Sequence, residues 1–298
     1  MKNLYGTGVA LVTPFNENQE VDFAGLEKLL DHTAKGVDYY VVMGTTGEAA
    51  TLTSDEKSTI LKFVKEHNGA NLPIVYGIGG NNTREVISSI RKADLRGVDA
   101  ILSVSPYYNK PSQEGIFQHF TAIADACPVP VILYNVPGRT GSNITADTTL
   151  RLSRHDNIIG VKEASGNLEQ CMRIARDKRK DFSLISGDDM FTVALYAMGA
   201  TGVISVLANA YPVIFRKVKE FAAAGSYPRA SEELSKLLDI NPLMYEESNP
   251  VGLKALLEEM GLCSAFVRLP LAPASEILRR KISAGMEKIR DNQKLSHI

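Results

Sequence analysis

A chain of 298 residues is long enough for two average domains, or for one α/β barrel of about 250 residues with an extension. Its 44% hydrophobic and 22% charged residues suit an ordinary globular protein, and a formal net charge of -1 gives no electrostatic case for nucleic acid or an anionic membrane. The three cysteines (Cys127, Cys171 and Cys263) form no CxxC pair and the five histidines no HxH or HExxH pair, so a reducing compartment is expected, without disulfides or zinc.

The opening, Met1 to Gly6, lacks the apolar core of a signal peptide, and no apolar run reaches the length of a membrane span. The expectation is a cytoplasmic protein. Short β-rich runs then recur. They are read at Thr7 to Thr13, Tyr39 to Gly44, Pro73 to Ile78, Ala100 to Val104, Val129 to Asn135, Ile158 to Glu163, Phe182 to Ser186 and Gly202 to Leu207. Several are almost continuously apolar, which suits parallel strands covered on both faces. Helical periodicity fills most gaps. Leu26, Leu29, Leu30 and Thr33 form one stripe; Val86, Ile87, Ile90 and Ala93 form another; Ile116, Phe117, Phe120, Ile123 and Ala124 form a third. Thr53 to Glu56 reads as a capping box opening the helix of Ile60, Leu61 and Val64. Eight βα units predict a (β/α)8 TIM barrel over residues 1–224, with an open doubly wound sheet as the alternative. After Gly225 the strand signal stops. Leu253, Leu256, Leu257 and Met260 make one helical stripe, and Ile277, Leu278, Ile282, Met286 and Ile289 another. Residues 225–298 are therefore expected to be an extension of about three helices.

Barrels of this kind carry chemistry at the C-terminal ends of their strands. The sixth run delivers Lys162 inside Ile158 to Ala164. Burial disfavours the charged form of an amine, so a lysine placed this way can act as a nucleophile toward carbonyls. Taken alone, a strand-end lysine snorkelling to water is the commoner reading. The turn Gly44-Thr45-Thr46-Gly47 can cradle a carboxylate with backbone N–H groups and hydroxyls, or be a plain turn. Tyr134 can relay protons or be a buried aromatic. Arg139 can clamp a carboxylate or be an exposed loop arginine. For Asp188 and Asp189, turn or cap roles are preferred over a metal. Gly77 to Gly80 fails the spacing of a dinucleotide loop.

Four segments occur in order: Gly44 to Glu48, Tyr107 to Gly115, Tyr134 to Gly141, and Gly160 to Gly166. As a set they resemble the dihydrodipicolinate synthase family, from about Gly6 into the helical tail, where Glu247 to Pro250 also fits. They are shared in part with N-acetylneuraminate lyases and other pyruvate-dependent class I aldolases, and Arg139 favours the synthases over the lyases. The resemblance implies condensation of pyruvate with L-aspartate semialdehyde, in lysine and diaminopimelate biosynthesis, with no metal or cofactor. It implies that Lys162 is the Schiff-base lysine and that Tyr134, Thr45 and Tyr108 form a proton relay. Tyr108 is expected to reach in from a neighbouring subunit of a homotetramer. Thr46 is expected to hold the pyruvate carboxylate and Arg139 that of the semialdehyde. Gly187 and Ile204 are expected to line the pocket with backbone groups. Asn81, Glu85 and Tyr107 match the cleft where sensitive members bind lysine. Ala49, Ser54 and Lys57 depart from the sensitive pattern, and the Lys57 cation disfavours a cationic effector, so weak or absent inhibition is expected. A sugar-acid aldolase and a non-enzymatic binding barrel are the competing functions. The first makes Arg139 unnecessary, and the second forms no pyruvate adduct.

Overall fold

The computed structural model describes residues 4–295. The apolar runs become eight short strands: β1 (Gly6–Ala10), β2 (Tyr39–Val42), β3 (Ile74–Gly77), β4 (Ala100–Val104), β5 (Val131–Asn135), β6 (Ile158–Glu163), β7 (Ser183–Ser186) and β8 (Gly202–Ser205). Their order is sequential and the sheet closes as a barrel. From β2 to β8 each strand pairs parallel with the next. The chain thus adopts the (β/α)8 architecture. Both faces of the strands are covered, as all five residues of β5 and five of six in β6 are buried.

The described chain falls into two compact units. The first comprises the residues up to Gly8, Asp38–Val42 and Pro73–Ser205. Four of its helices start on polar caps: Asn82 before Thr83–Lys92, Ser112 before Gln113–Ala126, Thr145 before Ala146–Leu152 and Asn167 before Leu168–Asp177. Each cap accepts from a backbone N–H that the helix leaves unpaired, worth about 1 kcal/mol.

The second unit comprises Val9–Val37, Met43–Leu72 and the chain from Val206 onward. Asp22 caps helix Phe23–Thr33, which buries Leu26, Leu29, Leu30 and Thr33 as the periodicity predicts. The capping box of Thr53 and Glu56 forms, and helix Ser54–Glu66 buries Ile60, Leu61 and Val64. Four helices follow Gly225 among the described residues: Tyr227–Ser235, Leu243–Glu246, Val251–Glu259 and Glu276–Leu295. Of the last predicted stripe, Leu278, Ile282, Met286 and Ile289 are buried, whereas Ile277 is 68% exposed. No helix of the described residues is long and apolar enough to cross a membrane.

Several strands are shorter than predicted, each for a local reason. β1 stops at Ala10 because Val12 N–H donates to the Asn209 side chain, 3.3 Å, instead of to a ladder. β2 stops at Val42 because Met43 turns into the left-handed region, φ 63°. β5 starts after Pro130, which has no N–H to donate. β8 ends at Ser205 because Val206 takes a helical conformation.

Candidate active site

In the first unit, Tyr134 of β5 and Lys162 of β6 are register partners. Both are buried, Lys162 with 6% of its surface exposed. The Lys162 Nζ lies 4.4 Å from the Tyr134 ring centroid. Among the described residues no carboxylate lies within ion-pair distance of this amine, which rests against the face of the Tyr134 ring. The next residues, Asn135 and Glu163, are register partners too. Successive side chains of a strand point to opposite faces, so the amine and phenol share one face and the amide and carboxylate the other.

Four further segments of this unit carry sequence-predicted residues. Beyond β4, Ser105 N–H donates to the Tyr134 carbonyl, 2.9 Å, and Ser142 Oγ donates to the Pro106 carbonyl, 2.9 Å. Tyr108 follows in a left-handed conformation, φ 76°, with 88% of its surface exposed. Arg139 sits in the single helical turn Pro137–Thr140, which Pro137 starts and Gly141 ends in the left-handed region. Its guanidinium is exposed and unpaired among the described residues. Gly187 N–H donates to the Glu163 carbonyl, 2.8 Å. Only glycine fits there, because a Cβ would stand 2.6 Å from that of Ala164. The Ile204 side chain is buried in β8. Asp188 Oδ1 accepts from Met190 N–H, 2.9 Å, the turn role expected of it.

In the second unit the Gly44 to Glu48 segment is a tight 3-10 turn over Thr45–Gly47. It is bounded by the left-handed Met43 and Glu48. Thr45 is exposed, whereas Thr46 is buried and accepts from Asn249 Nδ2 at 3.1 Å. Thr13 Oγ1 donates to the Gly47 carbonyl, 2.7 Å. Glu48 is held by an ion pair with Lys254 at 2.6 Å, the side chains being 1% and 0% exposed respectively. Lys254 also donates to the Phe266 carbonyl, 2.8 Å, and lies over the Phe15 ring. Burial pulls its amine below the ordinary value, and Glu48 opposes that pull. The carboxylate also accepts from Arg268 N–H, 3.1 Å, while the Arg268 guanidinium pairs with Glu56 at 2.6 Å. That pairing holds the Glu56 carboxyl down to about 2.

Residues 3–289 match the sequence profile of the Dihydrodipicolinate synthetase family. The chain belongs to that family. It is 51% identical over 290 residues to the 4-hydroxy-tetrahydrodipicolinate synthase of Cytophaga hutchinsonii, covering 97% of this chain and 98% of the relative. It is similar, with a TM-score of 0.93 and 39% identity, to the chloride-inhibited dihydrodipicolinate synthase of Acinetobacter baumannii complexed with pyruvate, covering 96% of this chain and 99% of that one. A monomeric dihydrodipicolinate synthase variant is also similar, with a TM-score of 0.92 and 34% identity over 96% of each chain.

Of the residues that the family resemblance assigns to an effector cleft, Asn81 donates to the Tyr107 carbonyl at 3.2 Å, and Asn81, Glu85 and Tyr107 are exposed. In the second unit Ala49 and Lys57 are half-buried, and burial lowers the Lys57 amine below its ordinary value. Sequence reasoning missed the Glu48–Lys254 pair. Its signal was a lone lysine among Val251, Leu253, Ala255, Leu256 and Leu257, every one of them buried. It also gave no role to Asn135, Asn143, Glu163 and Gln170, which form one hydrogen-bonded cluster, buried except for the half-buried Asn143.

Proposed function

We infer that this chain is a 4-hydroxy-tetrahydrodipicolinate synthase, condensing pyruvate with L-aspartate semialdehyde through a Schiff base on Lys162. The observation that carries the assignment is the Lys162 amine, buried and facing the Tyr134 ring, in a chain of this family. The unprotonated amine attacks the ketone carbon of pyruvate. The carbinolamine takes up a proton on its hydroxyl and loses water, leaving an iminium. The iminium withdraws electrons, so a methyl proton departs and an enamine forms. The enamine carbon adds to the semialdehyde's aldehyde carbon, whose oxygen takes a proton. The substrate's own amine then attacks the imine carbon, displaces Lys162 and closes the ring. One water is released per turnover and the lysine is regenerated.

In this reading Tyr134, Thr45 and Tyr108 move the protons. Thr46 and its turn hold the pyruvate carboxylate, and Arg139 that of the semialdehyde, for which its unpaired guanidinium is suited. Gly187 and Ile204 contribute backbone groups. The exposure of Tyr108 in a single chain supports its use across a subunit interface, and with it an active homo-oligomer, a dimer of dimers. Residues 1–224 supply the catalytic barrel and 225–298 the extension, in a cytoplasmic enzyme of lysine and diaminopimelate biosynthesis.

The test has two arms. Borohydride reduction with pyruvate, followed by peptide mapping, marks Lys162. A coupled assay with the downstream reductase requires both substrates. An unmodified Lys162 peptide, or turnover of pyruvate-releasing sugar acids in place of the condensation, overturns the assignment.

A further inference from the structure

The pairing of β5 with β6 contains an irregularity that decides which residue faces Tyr134. Val131 is opposite Ile158, but Ile132 is opposite Gly160, so β6 carries one extra residue at Ile159. Without that bulge the count from Val131 would set Tyr134 opposite Val161. A one-residue slip also turns each side chain to the other face of the sheet. The face and rung on which Lys162 meets Tyr134 therefore depend on a register that the apolar pattern Ile158-Ile159-Gly160-Val161 does not fix by itself.

One rung further, side chains fix it. Asn135 Nδ2 donates to both oxygens of Glu163, at 3.1 and 3.0 Å. Glu163 Oε1 also accepts from Ser165 N–H, 2.8 Å, and Oε2 from Gln170 Nε2, 2.9 Å. Asn135 is anchored in turn: its Oδ1 accepts from Ile144 N–H, 2.9 Å, and its Nδ2 donates to Asn143 Oδ1, 2.8 Å. Both residues are buried, Asn135 at 0% and Glu163 at 3% exposure. Asn135 Nδ2, Ser165 N–H and Gln170 Nε2 all donate to the carboxylate. A slipped β6 would bury that carboxylate away from these donors, at a cost of several kcal/mol.

We propose that the Asn135–Glu163 bridge is a positioning device that holds Tyr134 and Lys162 on one rung. The role rests on the Schiff-base reading of Lys162. Asn135 and Glu163 lie on the face of the strands opposite the phenol and amine, so they act through their neighbours in the strands. Misplacing a reacting group by about 1 Å costs on the order of 10²-fold in rate.

The test uses the full-length protein with pyruvate as probe. The variants are Glu163→Gln, which turns an amide N–H2 toward donors; Glu163→Asp, which keeps the charge but shortens its reach; Asn135→Leu; and Gln170→Ala, which removes a donor outside the bridge. The rate of the borohydride-trapped Lys162 adduct is measured at saturating pyruvate, below each variant's Tm, together with kcat and KM. The expected result is a loss of about 10- to 100-fold in adduct rate and kcat for the Glu163 and Asn135 variants, with a smaller change in pyruvate KM. Gln170→Ala lowers Tm while its adduct rate stays within about threefold of the parent. If Glu163→Gln proves too unstable to measure, Glu163→Asp gives the same readout. Parent-like adduct rates in folded Glu163 and Asn135 variants overturn the proposal, as does an equal loss in Gln170→Ala. A parent protein that forms no Lys162 adduct fails the Schiff-base reading itself, a result distinct from both.

Discussion

Replacing Lys254 by Met tests how the Thr45–Thr46 turn is held. Methionine keeps the length and most of the volume of the lysine stem, so packing against Phe15 is largely preserved. The Glu48 carboxylate, 1% exposed, loses its ion pair and, among the described residues, keeps only the Arg268 N–H as a partner. An uncompensated buried charge costs about 3–5 kcal/mol. At about 2 °C per kcal/mol for a chain of this size, Tm falls by about 6–10 °C. The double variant Lys254→Met/Glu48→Gln removes both charges and keeps an acceptor for Arg268, so it recovers more than half of that loss. Replacing a whole buried pair is often neutral where breaking it is not. Because Glu48 ends the turn to which the proposed function assigns the pyruvate carboxylate, the single variant is expected to raise KM for pyruvate more than it lowers kcat. The assay is differential scanning fluorimetry at fixed protein concentration, with pyruvate kinetics in the coupled assay. A single variant within about 2 °C of the parent, or a double variant no more stable than the single, refutes this account of the pair.

Arg139→Ala is expected to lose about 10- to 100-fold in kcat/KM for aspartate semialdehyde, the worth of one charge-assisted contact, while the Lys162 adduct with pyruvate still forms; unimpaired condensation contradicts the assigned role. L-lysine is expected to inhibit weakly or not at all, because the resemblance sets a cation at Lys57 where sensitive members carry histidine. Strong cooperative inhibition at micromolar lysine refutes this. Burial pushes the His119 imidazole down to about 4, while its Nδ1 pairs with Thr83 Oγ1 at 2.8 Å. A folded value below the unfolded one means that the unfolded chain binds the proton first. Stability is therefore full above about pH 6.5 and declines as pH falls toward 4, by up to about 3 kcal/mol. His119→Leu is expected to flatten that part of the stability curve, and an unchanged slope between pH 6.5 and 4 counts against it. Glu56 contributes in the same direction at lower pH: with Arg268 holding it to about 2, its share is lost between about 4.5 and 2. Glu56→Gln removes that step, measured by acid titration of the folded state, and persistence of the step refutes the assignment.

The barrel was legible because its signal is repeated and local. Each strand is a short apolar run, most helices show a 3.6-residue stripe, several of them behind a polar cap, and neither signal depends on knowing its neighbours. Lys162 and Tyr134 stand out in the sequence for a related reason: they are polar residues at strand ends, where the fold class itself directs attention, and Arg139 lies in the helical turn just beyond β5. What stayed hidden are the long-range contacts within each unit. The Glu48–Lys254 pair joins positions more than 200 residues apart, and nothing near Lys254 announces a carboxylate. The meeting of Tyr134 with Lys162 was hidden differently. A reader who aligns Val131-Ile132-Leu133-Tyr134 with Ile158-Ile159-Gly160-Val161 residue by residue obtains the wrong partner, since periodicity in β6 does not reveal a bulge at Ile159. The amide and carboxylate of the following rung carry the missing information. Asn135 and Glu163 are polar residues ending apolar strands, and a buried amide and carboxylate need one another more than either needs a particular register. Pairing them first and counting back one residue on each strand sets Tyr134 opposite Lys162. Polar complementarity at the strand ends, more than apolar pattern within them, determines which residues face each other in this site.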